Sequence, residues 1–234
     1  MPIKESRILF LLAAINFTHI LDFMIMMPLG NYLIPSFGLS ASQFTILVSA
    51  YAFSAGISSF LAAFYANKYD RKQILIRGYL GFLIGTLACG LAPSYEWLLL
   101  ARVTAGVFGG LLAAQVISII ADLIPFERRG KAMGRVMAAF AVSSTLGVPF
   151  ALYLANLISW HAPFILVAVL GLALLPFLHK DLPSMTGHLT QQDPPSSTQV
   201  IKQVFANVNQ RRALLFSGLM FMGHFMIIPF INPF

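Results

Sequence analysis

The chain has 234 residues, of which 58% are hydrophobic and only 10% charged, against roughly 25% charged residues in a soluble domain. Such a composition excludes a wettable globular surface. The charges sit between long apolar blocks rather than on one basic face, so the net charge of +7 does not describe a nucleic-acid-binding protein.

The N-terminal MPIKESR is basic and precedes an apolar run, as in a signal peptide. That run is too long, and no small-residue cleavage site follows it, so it reads as a first membrane span. A helix crosses hydrocarbon in about 20 apolar residues. Blocks of that kind predict spans at Arg7 to Leu33, Phe44 to Ala66, Ile74 to Ala92, Trp97 to Leu123, Met133 to Leu157, Ala162 to His179 and Leu214 to Phe234. The expected fold class is all-α, a polytopic transmembrane helix bundle. Lys4 and Arg7 precede the first span. Lys68, Arg71, Lys72 and Arg77 surround the second loop, Arg128, Arg129, Lys131 and Arg135 mark the fourth, and Lys180, Lys202, Arg211 and Arg212 follow the sixth span. All fall on one side. The opposite loops, near Pro35 to Ser42, Pro93 to Tyr95 and Asn156 to Ser159, carry no lysine or arginine. The positive-inside rule therefore places the amino terminus in the cytoplasm.

From Lys180 the segment KDLPSMTGHLTQQDPPSSTQ is rich in proline and small polar residues and predicts a flexible linker. In the next stretch Ile201, Val204, Phe205 and Val208 fall at i, i+3, i+4 and i+7, the pattern of a helix lying on a membrane surface. The expected organisation is a six-helix bundle at 1–179, a cytoplasmic linker with an amphipathic helix at 180–212, and a membrane helix at 213–234. Because the chain stops at Phe234 in that helix, the sequence reads as incomplete.

Ionisable groups at membrane depth mark functional candidates. Asp22 lies mid-span with His19 and Asn16 each three residues further back, so the three share a broad helical face. A carboxylate there can bind and release a proton as the site alternates between wet and dry; the competing reading makes Asp22 and His19 structural partners of each other or of a neighbouring helix. Arg102 keeps its charge, so it faces a partner such as Asp22 or an aqueous cavity, or it snorkels to the outer headgroups. Small residues recur at Gly106 and Gly110, and at Ser143, Gly147, Ala151 and Ala155, faces on which helix backbones approach closely. Pro149 removes a backbone hydrogen bond inside span five and predicts a static bend or a hinge. Met24, Met26 and Met27 line an adaptable apolar pocket or contact lipid. Cys89, the single cysteine, sits in an apolar stretch and leaves neither a disulfide framework nor a cysteine metal site. Neither a metal set nor a nucleophile with its base stands out, so no cofactor and no enzymatic activity are expected.

These residues resemble the major facilitator superfamily, and within it the drug and sugar-efflux proton antiporters. The segment AFYANKYDRKQIL is similar to the superfamily's second-loop signature through Arg71, Lys72 and Leu75. It departs from that signature at Ala63, Asn67, Lys68 and Asp70; Asn67 replaces the aspartate that helps latch helices in the family, leaving Asp70 as the acid available for that part. Leu98, Arg102 and Gly106 resemble the span-four motif whose arginine is implicated in proton coupling. TLGVPFA resembles the Gly-Val-Pro variant of the antiporter motif through Gly147 and Pro149. The segments ADLIPFERRGKAMG and SWHAPF are similar to family segments as well.

The resemblance implies two six-helix bundles rocking about a central cavity, with this chain holding the first bundle, the linker and one helix of the second. It implies export of a small molecule in exchange for protons across a bacterial cytoplasmic (inner) membrane, with the missing second bundle required. Asp22, Arg102 and His19 would handle the proton, while Asn16, Met26 and Gln115 would line the cavity. Asn67, Asp70, Arg71, Lys72, Gly106, Gly147 and Pro149 would serve conformational change. A non-transporting membrane protein, or an inactive fragment of a transporter, is the alternative.

Overall fold

The computed structural model describes residues 3–65, 68–186 and 197–231. The chain divides into two compact units, Met1–Thr186 and Gly187–Phe234. In the first unit the helices follow the apolar runs: α1 (Ile3–Ile25), α2 (Gly30–Phe37), α3 (Ala41–Tyr65), α4 (Arg71–Gly90), α5 (Tyr95–Leu123), α6 (Phe126–Val142), α7 (Val148–Leu157) and α8 (Ala162–Asp181). Among the described residues, six helical segments are long and apolar enough to cross a membrane: Glu5–Ile25, Ala41–Ala62, Arg71–Gly90, Tyr95–Leu123, Phe126–Leu157 and Ala162–Asp181. In the second unit are α9 (Ser197–Ala206) and α10 (Val208–Ile231). The Asn207 side chain between them accepts the N–H groups of Asn209 and Gln210 at 3.0 and 3.3 Å, capping α10. Arg211 and Arg212, placed before the seventh span by the sequence, lie inside α10, and residues 232–234 of that expected span fall outside the described residues.

Span one is not one helix to Leu33. It ends at Ile25, turns through Met26–Leu29, and resumes as α2. Pro28 disfavours helical geometry at the preceding Met27. The apolar character runs on through Leu29 and Leu33, both fully buried, so hydropathy alone does not register the break. Gly38 ends α2 in the left-handed conformation (φ 61°) and gives its N–H to Ile34 O, a geometry that favours glycine.

Span five also differs from the reading. Helix α6 begins at Phe126, directly after Pro125, and between α6 and α7 residues Ser143–Gly147 form a π-helical turn. There the Val148 N–H reaches Ser143 O, five residues back. Pro149, with no N–H of its own, follows at once, and its ring crowds the carbonyl a turn earlier; the widened turn accommodates both. The bend expected at Pro149 therefore takes the form of a π turn on its N-terminal side.

Helix α5 is the hub, packed along α3 on one side and α4 on the other; α4 packs on α8, and α1 on α6 and α8. Close approach explains the first contact: a Cβ on Gly106 would come within 2.5 Å of Tyr51 O, and one on Gly110 would collide with the Ala55 carbonyl oxygen. Gly147 likewise faces α1, where an added Cβ would lie 2.9 Å from Leu21 Cδ1. Two large apolar clusters fill most of the bundle, with a small third one at Ala62, Ile74 and Leu111. Of the large ones, one gathers Leu12, Tyr79, Phe82, Val116 and Val136, the other Ile25, Met26, Leu98, Ala101 and Phe164. Large apolar residues such as Phe10, Phe53 and Leu146 remain exposed, as expected where hydrocarbon rather than water is the solvent.

One end of the bundle is tied by charge. Arg128 holds Glu5 through two hydrogen bonds of 2.9 and 3.1 Å, Arg71 pairs with Asp122, and Lys72 Nζ donates to His179 O at 2.7 Å. The expected linker is ordered at its start: α8 runs on to Asp181, Leu182 and Met185 are buried in the core, and Asp70 accepts both the Ser184 hydroxyl and the Met185 N–H. Apolar Leu182 and Met185 give this stretch something to bury, which its proline and serine content concealed. The rest of the expected linker, 187–196, lies outside the described residues.

Candidate functional site

The site forms where the two apolar clusters meet. Asp22 on α1 and Arg102 on α5 face each other with no solvent exposure on either side chain. Arg102 Nη1 donates to Asp22 Oδ2 at 2.9 Å and more weakly to the Asp22 carbonyl at 3.4 Å. The helices fix this pairing from both sides. Gly106, one turn beyond Arg102, lets α5 lie against α3, while Gly85 on α4 sits within contact of the α5 backbone at Ala105. Arg102 therefore does not snorkel, and its partner is Asp22. No hydrogen bond joins Asp22 to His19 among the described residues.

A second contact comes from Tyr51 on α3, a residue the sequence reading did not single out. Its ring centroid lies 4.4 Å from the guanidinium carbon of Arg102, within the range of a cation–π interaction. Its hydroxyl points onward along α5 to Gly109. A Cβ at Gly109 would stand 2.5 Å from the Tyr51 hydroxyl and 2.9 Å from His19 Nε2, so the bare glycine lets both polar atoms approach the same patch of backbone. His19 is otherwise held among rings, its centroid 5.7 Å from that of Phe82 and 6.2 Å from that of Tyr51. Buried atoms without a hydrogen-bond partner concentrate in this region: His19 Nε2, Asp22 Oδ1, Tyr51 Oη, Thr86 Oγ1, and Nε and Nη2 of Arg102. Buried polar groups are nearly always satisfied, so this density of unsatisfied ones sets the site apart from ordinary core.

The residues assigned to the cavity lie elsewhere in the unit. Asn16 donates to Val136 O at 3.2 Å and ties α1 to α6. Met26 is fully buried in the apolar cluster beyond the ion pair, and Gln115 is buried with its Oε1 unpartnered. Within this unit all three are buried.

Among the conformational residues, Asp70 caps α4 by accepting the Lys72 N–H at 2.9 Å. Partial burial disfavours its charge, but the hydrogen bonds from Ser184, Met185 and Lys72, with the Lys72 charge, outweigh burial and hold the Asp70 carboxyl below the usual range. Asn67 lies outside the described residues.

A bundle of six helices long and apolar enough to span a bilayer, with a salt bridge buried inside it, is the architecture of a polytopic membrane protein. The sequence profile of the Major Facilitator Superfamily matches residues 12–234, and the chain belongs to that family. It is 28% identical over 214 residues to the uncharacterized MFS-type transporter YceJ of Bacillus subtilis (strain 168), spanning 90% of this chain and 54% of that protein. Over 113 residues it is 36% identical to Multidrug resistance protein 3 of the same organism, spanning 48% of this chain and 22% of that one. Among solved structures, the inward-open xylose transporter XylE from E. coli superposes with a TM-score of 0.70 at 17% identity, covering 90% of this chain and 55% of XylE. A bacterial homologue of the human lysosomal transporter Spinster superposes with a TM-score of 0.64 at 22% identity, covering 84% and 45%. The chain thus spans about half the length, or less, of these relatives.

Proposed function

We propose that this chain is the first half of a secondary transporter that exports a small amphipathic or apolar molecule in exchange for protons. The observation that carries the reading is the Asp22–Arg102 pair, wholly buried and ringed by unsatisfied polar atoms. A proton arriving at Asp22 removes the charge that Arg102 faces. The guanidinium then sits buried with the Tyr51 ring and the long bond to the Asp22 carbonyl as its favourable contacts, so the paired arrangement loses its advantage and a rearranged one gains. Proton release restores the pair. In this scheme His19 stands beside the Tyr51 hydroxyl as a further polar stop, the π turn before Pro149 lets the fifth span bend, and Gly106 and Gly147 let helices slide in close contact. Alternating access requires a second six-helix bundle, and the likeness to proteins of which this chain spans about half the length or less supports that requirement. Export is supported by the likeness to Multidrug resistance protein 3 and by the apolar site surroundings. The chain would comprise a bundle at 1–179, a linker at 180–212 and a further membrane helix at 213–234. It would lie in a bacterial cytoplasmic membrane with its amino terminus inside, a sidedness that the one-sided basic loops support.

The test is proton flux in proteoliposomes holding the protein with its second bundle, read with an internal pH dye against a panel of lipophilic substrates. Substrate-triggered proton movement is expected, and Asp22→Asn is expected to abolish it. Unchanged flux in Asp22→Asn would return the pair to a purely structural role.

A further inference from the structure

Tyr51 and His19 come together over one glycine without bonding. Tyr51 on α3 and His19 on α1 both reach the bare backbone of Gly109 on α5, where an added Cβ would stand 2.5 Å from the Tyr51 hydroxyl and 2.9 Å from His19 Nε2. Neither atom has a hydrogen-bond partner among the described residues, although both atoms are buried and Tyr51 as a whole is only 3% exposed. The two are chemically matched, since a phenol donates and a neutral imidazole nitrogen accepts. Left apart in a buried site, each bears the cost of an unmade bond. An arrangement in which they meet gains on both sides, so something in this one holds them apart.

The restraint is Arg102. Its guanidinium carbon lies 4.4 Å from the Tyr51 ring centroid, close enough to hold the ring as a cation–π partner. The guanidinium is in turn fixed by Asp22 at 2.9 Å. Elsewhere Tyr51 and His19 meet rings: Phe23 lies 5.5 Å from Tyr51 and Phe82 lies 5.7 Å from His19, centroid to centroid. From Gly78 to Gly90, α4 carries no Asp, Glu, Lys, Arg or His, and its titratable groups there are Tyr79 and Cys89. On α3 the titratable groups are Tyr51 itself and the terminal Tyr65. The charges that bear on this contact are therefore Asp22 and Arg102.

We propose that Tyr51 is a positioning residue that passes the state of the ion pair to His19. With the pair closed, the guanidinium holds the ring and the hydroxyl stays unbonded. When Arg102 leaves, the ring tips over Gly109 and its hydroxyl donates to His19 Nε2. No proton changes owner in this step; one buried hydrogen bond forms, and the missing side chain at Gly109 leaves it room. The purpose of the step rests on the transport reading, in which a proton on Asp22 is what frees Arg102, but the bond itself is tested without transport.

The test compares the full chain with its Asp22→Leu plus Arg102→Met variant, in which the ring has lost its cation, each with and without Tyr51→Phe. That last change keeps the ring and drops the hydroxyl. Nitrogen-15 NMR of histidine-labelled protein in micelles, assigned by the signal lost in His19→Gln, reads the His19 Nε2 resonance, which moves upfield when an unprotonated imidazole nitrogen accepts a hydrogen bond. The upfield position is expected in the pair-free variant, not in the parent, and Tyr51→Phe is expected to abolish it. Unfolding in rising SDS reads the same bond as an equilibrium. In the parent, Tyr51→Phe removes a hydroxyl without a partner and should leave the equilibrium unchanged or shifted toward the fold. In the pair-free variant it should shift the equilibrium about three- to tenfold toward unfolding, the worth of one hydrogen bond. A tyrosine with a merely structural role would give the same shift in both backgrounds, and that result, or a His19 resonance unmoved by removal of the pair, would overturn the proposal. In proteoliposomes where the parent moves protons with substrate, Tyr51→Phe is expected to slow the flux about three- to tenfold, and parent-like flux would overturn its part in coupling. A parent that moves no protons would sink the transport reading, while the resonance and the unfolding equilibria still decide the bond.

Discussion

Cutting the buried ion pair from one side should be far more damaging than removing it altogether. Asp22 and Arg102 are both inaccessible to solvent and 2.9 Å apart. At an effective dielectric of about 20, unit charges some 4 Å apart attract by about 4 kcal/mol, and deleting one partner of a buried pair typically costs about 3–5 kcal/mol because the other is left uncompensated. The Tyr51 ring, 4.4 Å from the guanidinium, retains about 1–2 kcal/mol of cation–π attraction when Asp22 is gone. The expectation for Asp22→Ala is therefore the lower part of that range, about 3 kcal/mol. Replacing both, as Asp22→Leu with Arg102→Met, removes two desolvation penalties along with the attraction, so the double variant should lie within about 1 kcal/mol of the parent or above it. Reversible unfolding in mixed micelles with rising SDS, followed by the fluorescence of Trp97 and Trp160, measures the stabilities of the parent, Asp22→Ala, Asp22→Leu, Arg102→Met and the double variant. A single substitution costing under about 1 kcal/mol, or a double variant whose loss equals the sum of its singles, would refute the reasoning. If the double variant is as stable as the parent yet moves no protons with substrate, the pair's contribution to coupling is separated from its contribution to folding.

Gly110 meets the Ala55 carbonyl on α3, so Gly110→Ala forces backbone apart and is expected to destabilise the bundle by about 1–3 kcal/mol. Gly134→Ala on α6, where an added Cβ meets nothing within 4 Å, should be neutral or stabilising by up to about 1 kcal/mol; the same unfolding assay would contradict this if the two variants behave alike. Asp70→Ala removes the α4 cap, worth about 1 kcal/mol, and releases the Met185 N–H. Amide exchange at Met185 should accelerate by about tenfold, and an unchanged rate would dissociate the linker from Asp70. The folded state holds the Asp70 carboxyl below its ordinary range, so this contribution is complete above the unfolded carboxylate value and is lost as pH falls through the folded one. The parent's Met185 protection, corrected for intrinsic exchange, should decline only in strong acid.

The six spans were legible because lipid imposes long apolar runs and collects lysine and arginine at one end, signals that need no tertiary information. The interruption at Met26–Leu29 was not, since Leu29 and Leu33 continue the apolar pattern while Pro28 alone marks the turn. Asp22 and Arg102 stood out as charges inside spans and their pairing was one of the alternatives open, but across 80 residues of chain spacing could not choose it over a cavity or the headgroups. Tyr51 and Gly109 were invisible for a related reason. A tyrosine and a glycine in membrane helices are unremarkable until packing places the phenol under a guanidinium and the glycine beneath its hydroxyl. Asp70 was noticed as the acid left to take the part of the signature aspartate that Asn67 replaces, but what it holds, Ser184 and Met185, depends on how α8 returns to the loop.

The π turn at Ser143–Gly147 sets the phase of the fifth span. On an uninterrupted α-helix, residues four apart advance by about 40° around the axis at each step, so Ser143, Gly147, Ala151 and Ala155 would drift from facing α1 to facing outward. A wider turn rotates the chain less per residue, taking back part of that drift, and all four residues are in fact buried. The span is in effect a shaft in two sections, keyed at 143–147. Passing the extra residue of that turn along the helix would rotate one section against the other while every residue stayed helical. The face that α6 presents can thus change without the face of α7 letting go of its neighbours.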